Sequence, residues 1–201
     1  MLDSKLRPLI DPPLNAIGRA LAGLGVTANA LTFTGLALGL GGAVAIAHGL
    51  LMSGLALILA NRALDGLDGA AARARGPTPV GGYFDIVADF AFYVSLPPAL
   101  GVLDSALTLP ASALVASFVL TGVSFLAFAV TAAERGISTQ AHGKKSFFYS
   151  TGLAEGTETI VVFVAMCVWP QHFAYIAYGY AALCVLTVVQ RSALAAITFR
   201  G

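Results

Sequence analysis

Long apolar stretches separated by brief polar interruptions run along almost the whole chain. They fall at about 28–48, 50–73, 79–103, 108–133, 147–169 and 172–198. A helix of about 20 residues crosses the hydrocarbon core of a bilayer, and each stretch reaches that length. Residues 1–26 are patterned differently, with charges set among Leu and Ile. Leu14, Ile17, Leu21 and Leu24 share one helical stripe, which predicts an amphipathic helix lying on the membrane surface, broken at Pro12-Pro13. A disordered tail is the competing reading of that segment. The expected fold is thus an all-α membrane protein: a juxtamembrane amphipathic helix (1–26), then one domain of six transmembrane helices (27–201).

Composition agrees. Apolar residues make up 58% of the chain and charged ones only 10%, against about a quarter charged in soluble domains. A net charge of +1 gives no electrostatic case for nucleic acid. Cys167 and Cys184 stand singly in apolar surroundings, which argues for buried hydrophobes rather than a disulfide or zinc site. Asp3, Lys5, Arg7 and Asp11 precede any long apolar run, unlike a cleavable signal peptide. Lys5, Arg7, Arg19, Arg73, Arg75, Arg135, Lys144, Lys145 and Arg200 all fall at one end of the expected spans, whereas the opposite loops carry only His48, Asp104 and His172. The positive-inside rule then puts both termini on the cytoplasmic side.

Against this apolar background, Asp65, Asp68, Asp85 and Asp89 crowd into 25 residues of a chain with ten acidic side chains in all. Asp65 and Asp68 are three apart, Asp85 and Asp89 four apart, so each pair shares a helix face. The short RARGPTPV connection predicts that the two helices are neighbours and that both pairs meet just below the cytoplasmic surface. A buried Asp costs about 2.5–3.5 kcal/mol even on the lenient insertion scale, and like charges repel besides. Protons, basic partners or hard cations must compensate. Oxygen-only donors suit Mg²⁺, Mn²⁺ or Ca²⁺, and two ions shared among four carboxylates would clamp a phosphate ester. Gly66, Gly69, Gly81 and Gly82, interleaved with the aspartates, favour a ligand close to the backbone over simple helix packing.

Asp65-x2-Asp68-Gly69-x2-Ala72-Arg73 … Gly81-x3-Asp85-x3-Asp89 resembles the signature of the CDP-alcohol phosphatidyltransferase family, as does the V-T-A-N-A-L-T start of the first span. The departure is one residue: seven, not eight, separate Arg73 from Gly81. The resemblance implies transfer of a phosphatidyl group from CDP-diacylglycerol to an alcohol acceptor with release of CMP, in bacterial phospholipid synthesis at the inner (cytoplasmic) membrane. It implies a divalent metal, Mg²⁺ or Mn²⁺, on Asp65, Asp68, Asp85 and Asp89, with Asp89 alternatively the general base. It also implies nucleotide contacts from Gly69, Arg73, Gly81 and Gly82, an active site on the cytoplasmic side, and a homodimer.

The acceptor is read from the remaining charges. Arg191, Lys144, Lys145 and Arg135 would suit the phosphate of a phosphorylated polyol such as glycerol 3-phosphate. Equally, Arg191 could neutralise an acidic partner, and the lysines could serve topology alone. Glu155 and Glu158 could meet an ammonium acceptor or pair with Arg191 or Arg62. Inositol, amino-alcohol and phosphatidylglycerol acceptors therefore stay open. Arg62, three residues from Asp65, is expected to salt-bridge it. A cation or proton transporter using the same buried carboxylates is the reading from a different class.

Overall fold

A computed structural model describes residues 2–137 and 152–200, with side chains from Pro8 onward. Seven α-helices are described: α1 (Leu2–Gly23), α2 (Ala28–Ala47), α3 (Leu51–Arg75), α4 (Pro79–Gly101), α5 (Thr108–Glu134), α6 (Gly156–Val168) and α7 (Phe173–Thr198). Short 3₁₀ turns precede α5 and α7, and no strand occurs among the described residues. Four helices are long and apolar enough to cross a membrane: α2, α4, α5 and α7, the last two with their 3₁₀ turns. The 25-residue α3 has the length, but Arg62, Asp65, Asp68, Arg73 and Arg75 interrupt it. In α6 only 13 residues are helical, about 20 Å at 1.5 Å per residue.

Two expectations about helix extent are corrected. Pro12-Pro13 does not break α1, which runs through Pro8, Pro12 and Pro13 as one helix. Proline deletes ladder hydrogen bonds, but Pro12 and Pro13 are exposed or nearly so, where solvent can take up the freed carbonyls. The stretch expected at 147–169 is helical only from Gly156 among the described residues. Residues 152–155 are folded back instead, with the Gly152 N–H on Glu155 Oε1 (3.2 Å) and the Ala154 N–H on Thr187 Oγ1 (3.0 Å). Glu155 therefore stands just before α6 and Glu158 in its first turn.

Helix boundaries have local causes. Thr27 caps α2 by accepting from the Ala30 N–H at 3.2 Å. Gly76 ends α3 at φ 97°, a conformation that favours glycine. Thr78 then caps α4 through the Gly81 N–H at 3.0 Å. Pro79 occupies the first helical position, where a missing N–H costs nothing.

The glycines of α2 organise the bundle. A Cβ at Gly39 would lie 2.6 Å from Phe92 Cδ2, and one at Gly42 3.0 Å from the Gly54 carbonyl oxygen. Without side chains there, α2 packs closely on α3 and on α4 at once. By contrast α3 and α4, despite their three-residue connection, barely approach each other. They splay, with α2 as the shared partner, contrary to the side-by-side packing expected of a short hairpin. The α4–α5–α7 side closes the other half. The apolar core gathers toward the end away from the α3–α4 loop, around Ile46, Ile58, Leu96, Leu114, Phe163 and Met166.

Candidate functional site

The splay of α3 from α4 opens a small cleft whose walls include Thr32, Asn61, Arg62, Asp65, Asp68 and Asp89. Helical spacing aims both aspartate pairs into this gap, so the carboxylates bridge a space the backbones leave open. One carboxylate oxygen from each of Asp65, Asp68 and Asp85 lies within 4.8 Å of the others. With metal–oxygen bonds of about 2.1 Å, opposite donors of an octahedral Mg²⁺ lie about 4.2 Å apart, so this group is nearly the right size for one ion. Three hard oxygen donors, with no His or Cys among them, also fit Mg²⁺ or Mn²⁺ chemically. The one-residue-shorter loop has not disturbed this convergence.

The three members are held differently. Asp68 is buried, 5% exposed, and its Oδ2 accepts from the Thr32 hydroxyl at 2.6 Å. Asp85 is exposed and Asp65 half-buried. Asp89 is not in the group: its Oδ1 accepts from Arg62 Nη1 at 2.9 Å. The same nitrogen lies 3.5 Å from Asp65 Oδ2, so the expected Arg62–Asp65 pair exists but is the longer of two. Arg62 is fixed on other sides as well. Its Nη1 donates to the Tyr93 hydroxyl (3.2 Å) and its Nε to Asn61 Oδ1 (2.7 Å), while the Asn61 amide donates to the Gly35 carbonyl (2.8 Å). Its guanidinium lies over the rings of Phe92 (4.3 Å) and Tyr93 (5.3 Å).

The nucleotide candidates divide. Gly69 leaves an open face, since a Cβ there would meet only Arg73 Nη1 at 3.3 Å. Gly81 sits at the mouth of α4 beside Thr78 and Asn29, whose Oδ1 would lie 3.3 Å from a Cβ. Gly82 follows in the first turn, its N–H on the Thr78 carbonyl at 3.0 Å. Arg73 is turned to α1: its Nε and Nη2 donate to Asn15 Oδ1 at 3.1 and 2.9 Å. Gly66 is a packing glycine, with Leu14 of α1 only 2.9 Å from the position of its absent Cβ.

Of the acceptor candidates, Arg191 is buried, and its Nη1 donates to the Thr121 carbonyl (2.9 Å) and Ser124 Oγ (2.6 Å). It also faces the turn before α6, for a Cβ on Gly152 would lie 3.5 Å from Arg191 Nη2. That turn carries Glu155, so Arg191 and Glu155 belong to one region. Arg135 is exposed, its guanidinium 5.8 Å from the Phe199 ring centre. Lys144 and Lys145 lie outside the described residues. Thr32, Asn61 and Tyr93 were not singled out from the sequence. Thr32 closes the V-T-A-N-A-L-T stretch and falls on the Gly35–Gly39 face of α2, and Asn61 interrupts an apolar run next to Arg62; both were usable signals.

Comparison with known proteins supplies independent support. Residues 25–190 match the model of the CDP-alcohol phosphatidyltransferase family. The chain is 44% identical over 194 residues to the inner membrane protein YnjF of Escherichia coli, covering 95% of this chain and 93% of that protein. It is 39% identical over 88 residues to an archaetidylinositol phosphate synthase of Pyrococcus horikoshii, covering 43% and 46% of the two chains. The fold is shared with the Mycobacterium tuberculosis phosphatidylinositol phosphate synthase PgsA1. Its CDP-DAG-bound structure superposes with a TM-score of 0.66 at 24% identity, covering 89% of this chain and 90% of that one. Its manganese- and citrate-bound structure gives 0.65 at 23%, covering 89% and 86%. With the family model spanning most of its length and the aspartate signature converging on one cleft, the chain belongs to the CDP-alcohol phosphatidyltransferase family.

Proposed function

We propose that this phosphatidyltransferase moves the phosphatidyl group of CDP-diacylglycerol to the hydroxyl of a small polar alcohol, at a one-sided membrane site holding Mg²⁺ or Mn²⁺. The observation that carries the reading is the convergence of Asp65, Asp68 and Asp85 oxygens within 4.8 Å. A manganese-bound structure of a protein with this fold supports the choice of ion.

Asp65, Asp68 and Asp85 would hold the ion, and Thr32 locks the Asp68 carboxylate toward it. When bound, a divalent ion would neutralise the negative charge that grows on the pyrophosphate as CMP departs. Asp89, on the far side of Arg62, serves as proton acceptor. The acceptor oxygen forms a bond to the lipid-bearing phosphorus, the bond from that phosphorus to the CMP oxygen breaks, and the hydroxyl proton passes to Asp89. Gly69 and Gly81, with Gly82 beside them, would admit the nucleotide, and Arg73, next to Gly69 and tied to Asn15 of α1, would steady its phosphate side.

The membrane arrangement follows. We assign α2 to α7 as six crossings, α3 and α6 completing the set begun by the four apolar helices. The site and both termini would face the cytoplasm, by the distribution of Lys and Arg. Helix α1 would lie in the interface, its Leu9, Ile10 and Ile17, and Leu24 just beyond it, exposed to lipid. A donor whose head must reach a soluble acceptor while its acyl chains stay in hydrocarbon suits a site at that depth. A phosphorylated polyol such as glycerol 3-phosphate or an inositol phosphate is the acceptor we favour, because Arg191 places a buried guanidinium beside the turn before α6.

The test is CMP release from the purified full chain in detergent, given CDP-diacylglycerol and Mn²⁺, with each acceptor offered separately. Release with a phosphorylated polyol, lost with EDTA and restored by Mn²⁺, is expected. Release only with serine or choline would overturn the acceptor assignment. Release undiminished by EDTA would overturn the metal site.

A further inference from the structure

We propose that Arg62 is a positioning residue for the transfer reaction: it pins Asp89 apart from the Asp65–Asp68–Asp85 group and tempers that group's affinity for its cation. The proposal rests on the proposed function for the identity of the reaction, and on geometry for everything else.

A lone ion pair would be weak grounds, since a long side chain can swing away. Arg62 cannot easily do so. It makes hydrogen bonds to three different side chains, on Asn61, Asp89 and Tyr93, and only 14% of its side chain is exposed. The Asn61 that holds its Nε is itself buried and tied to the α2 backbone at Gly35. Beneath the guanidinium, the Phe92 ring is seated in the space that Gly39 leaves by having no side chain. Thus α2 braces Arg62 twice, through Asn61 and through Phe92, and Arg62 carries that rigidity across the cleft to Asp89 on α4.

The placement has two consequences. Asp89 is turned to the guanidinium, so it takes no part in the three-oxygen group and stays apart as a separate carboxylate. Secondly, one nitrogen of the cation lies between Asp65 and Asp89, at 3.5 and 2.9 Å. A fixed positive charge beside a site for a divalent ion weakens the binding of that ion, while it restrains four clustered carboxylates from repelling one another. The chain thereby trades some cation affinity for a defined place for its proton acceptor.

The two consequences have opposite signs, and this makes the test decisive. Mn²⁺ binding to the purified full chain is measured by the loss of the free-ion electron paramagnetic resonance signal, with no lipid or nucleotide present. Turnover is measured in parallel. Arg62→Gln should bind Mn²⁺ tighter by about tenfold while kcat falls at least tenfold with little change in KM for the lipid donor. Arg62→Lys keeps the charge without the fork, so it should bind Mn²⁺ as the parent does and recover part of kcat. Asp89→Asn should leave Mn²⁺ affinity within about threefold of the parent and lose turnover, whereas Asp65→Asn should lose Mn²⁺ binding. Weaker Mn²⁺ binding in Arg62→Gln would mean general damage and overturn the proposal. So would an Asp89→Asn variant that loses Mn²⁺ as Asp65→Asn does. If the parent binds Mn²⁺ with these signatures but releases no CMP with any acceptor, the reaction assigned above fails while the placement of Arg62 stands.

Discussion

The two ends of the helix bundle solve opposite problems. At the end away from the α3–α4 loop, Ile46, Ile58, Leu96, Leu114, Met166 and Phe173 are essentially sealed from solvent. There Gly54 lets α3 press on α2 until a Cβ would stand 2.5 Å from Ile46 Cγ1. At the other end α3 and α4 part, and the space between them is lined with carboxylates. Since lipid chains are as apolar as the side chains, helix association here depends on close packing more than on expulsion of water. The tight end supplies that packing, and it allows the other end to stay open and charged. The difference teaches that cohesion and chemistry have been separated along the helix axes, with α2 belonging to both.

Substitutions confined to one end test this division, since each should move one readout, stability or turnover, and leave the other. The largest effect is expected for Asp68→Asn, which should lower CMP release by at least about a thousandfold. Removing one of several crowded charges should leave the thermal midpoint in detergent unchanged or raised. A fall in both would mean that the cleft also carries cohesion. Ile58→Ala is the opposite case, a buried truncation expected to cost about 2–4 kcal/mol. Its turnover per folded molecule should match the parent, as measured on the fraction that survives size exclusion. Thr32→Val keeps the shape and deletes the hydroxyl that binds Asp68 at 2.6 Å. It should lower kcat about tenfold, through one lost charge-assisted hydrogen bond, with little change in thermal midpoint. Smallest of all, Gly66→Ala forces Leu14 aside. It should loosen α1, seen as faster amide exchange over its C-terminal turns, and alter turnover less than about threefold.

Gly39 tests the division from the middle of the molecule. Its absent side chain seats Phe92, which belongs to the apolar core and is also the platform under Arg62. Gly39→Ala should therefore reduce both thermal stability and kcat, and is the one substitution for which both readouts should move together.

How much of this was legible beforehand differs from element to element. Expected spans at 50–73 and 108–133 correspond to α3 (Leu51–Arg75) and α5 (Thr108–Glu134) almost to the residue, because Gly, Pro and Thr punctuate the chain where helices end. The aspartates declared themselves, since four carboxylates in hydrocarbon have few explanations. The bond from Arg73 to Asn15 was not legible, because nothing local marks a residue 58 positions earlier as its partner. Within the stretch expected at 147–169, the turn at 152–155 was missed because apolar composition does not distinguish a helix from a turn folded back on α7.

By itself, then, the sequence determined the helices and the identity of the chemical groups, since spacing and hydropathy act within a turn or two of each residue. Tertiary structure decided who faces whom. The parting of α3 from α4, the reach of Thr32 to Asp68 and the preference of Arg62 for Asp89 over the nearer-in-sequence Asp65 all depend on how α2 packs between its neighbours. Such contacts join residues 27 to 36 positions apart, and no local pattern encodes a distance that only packing sets.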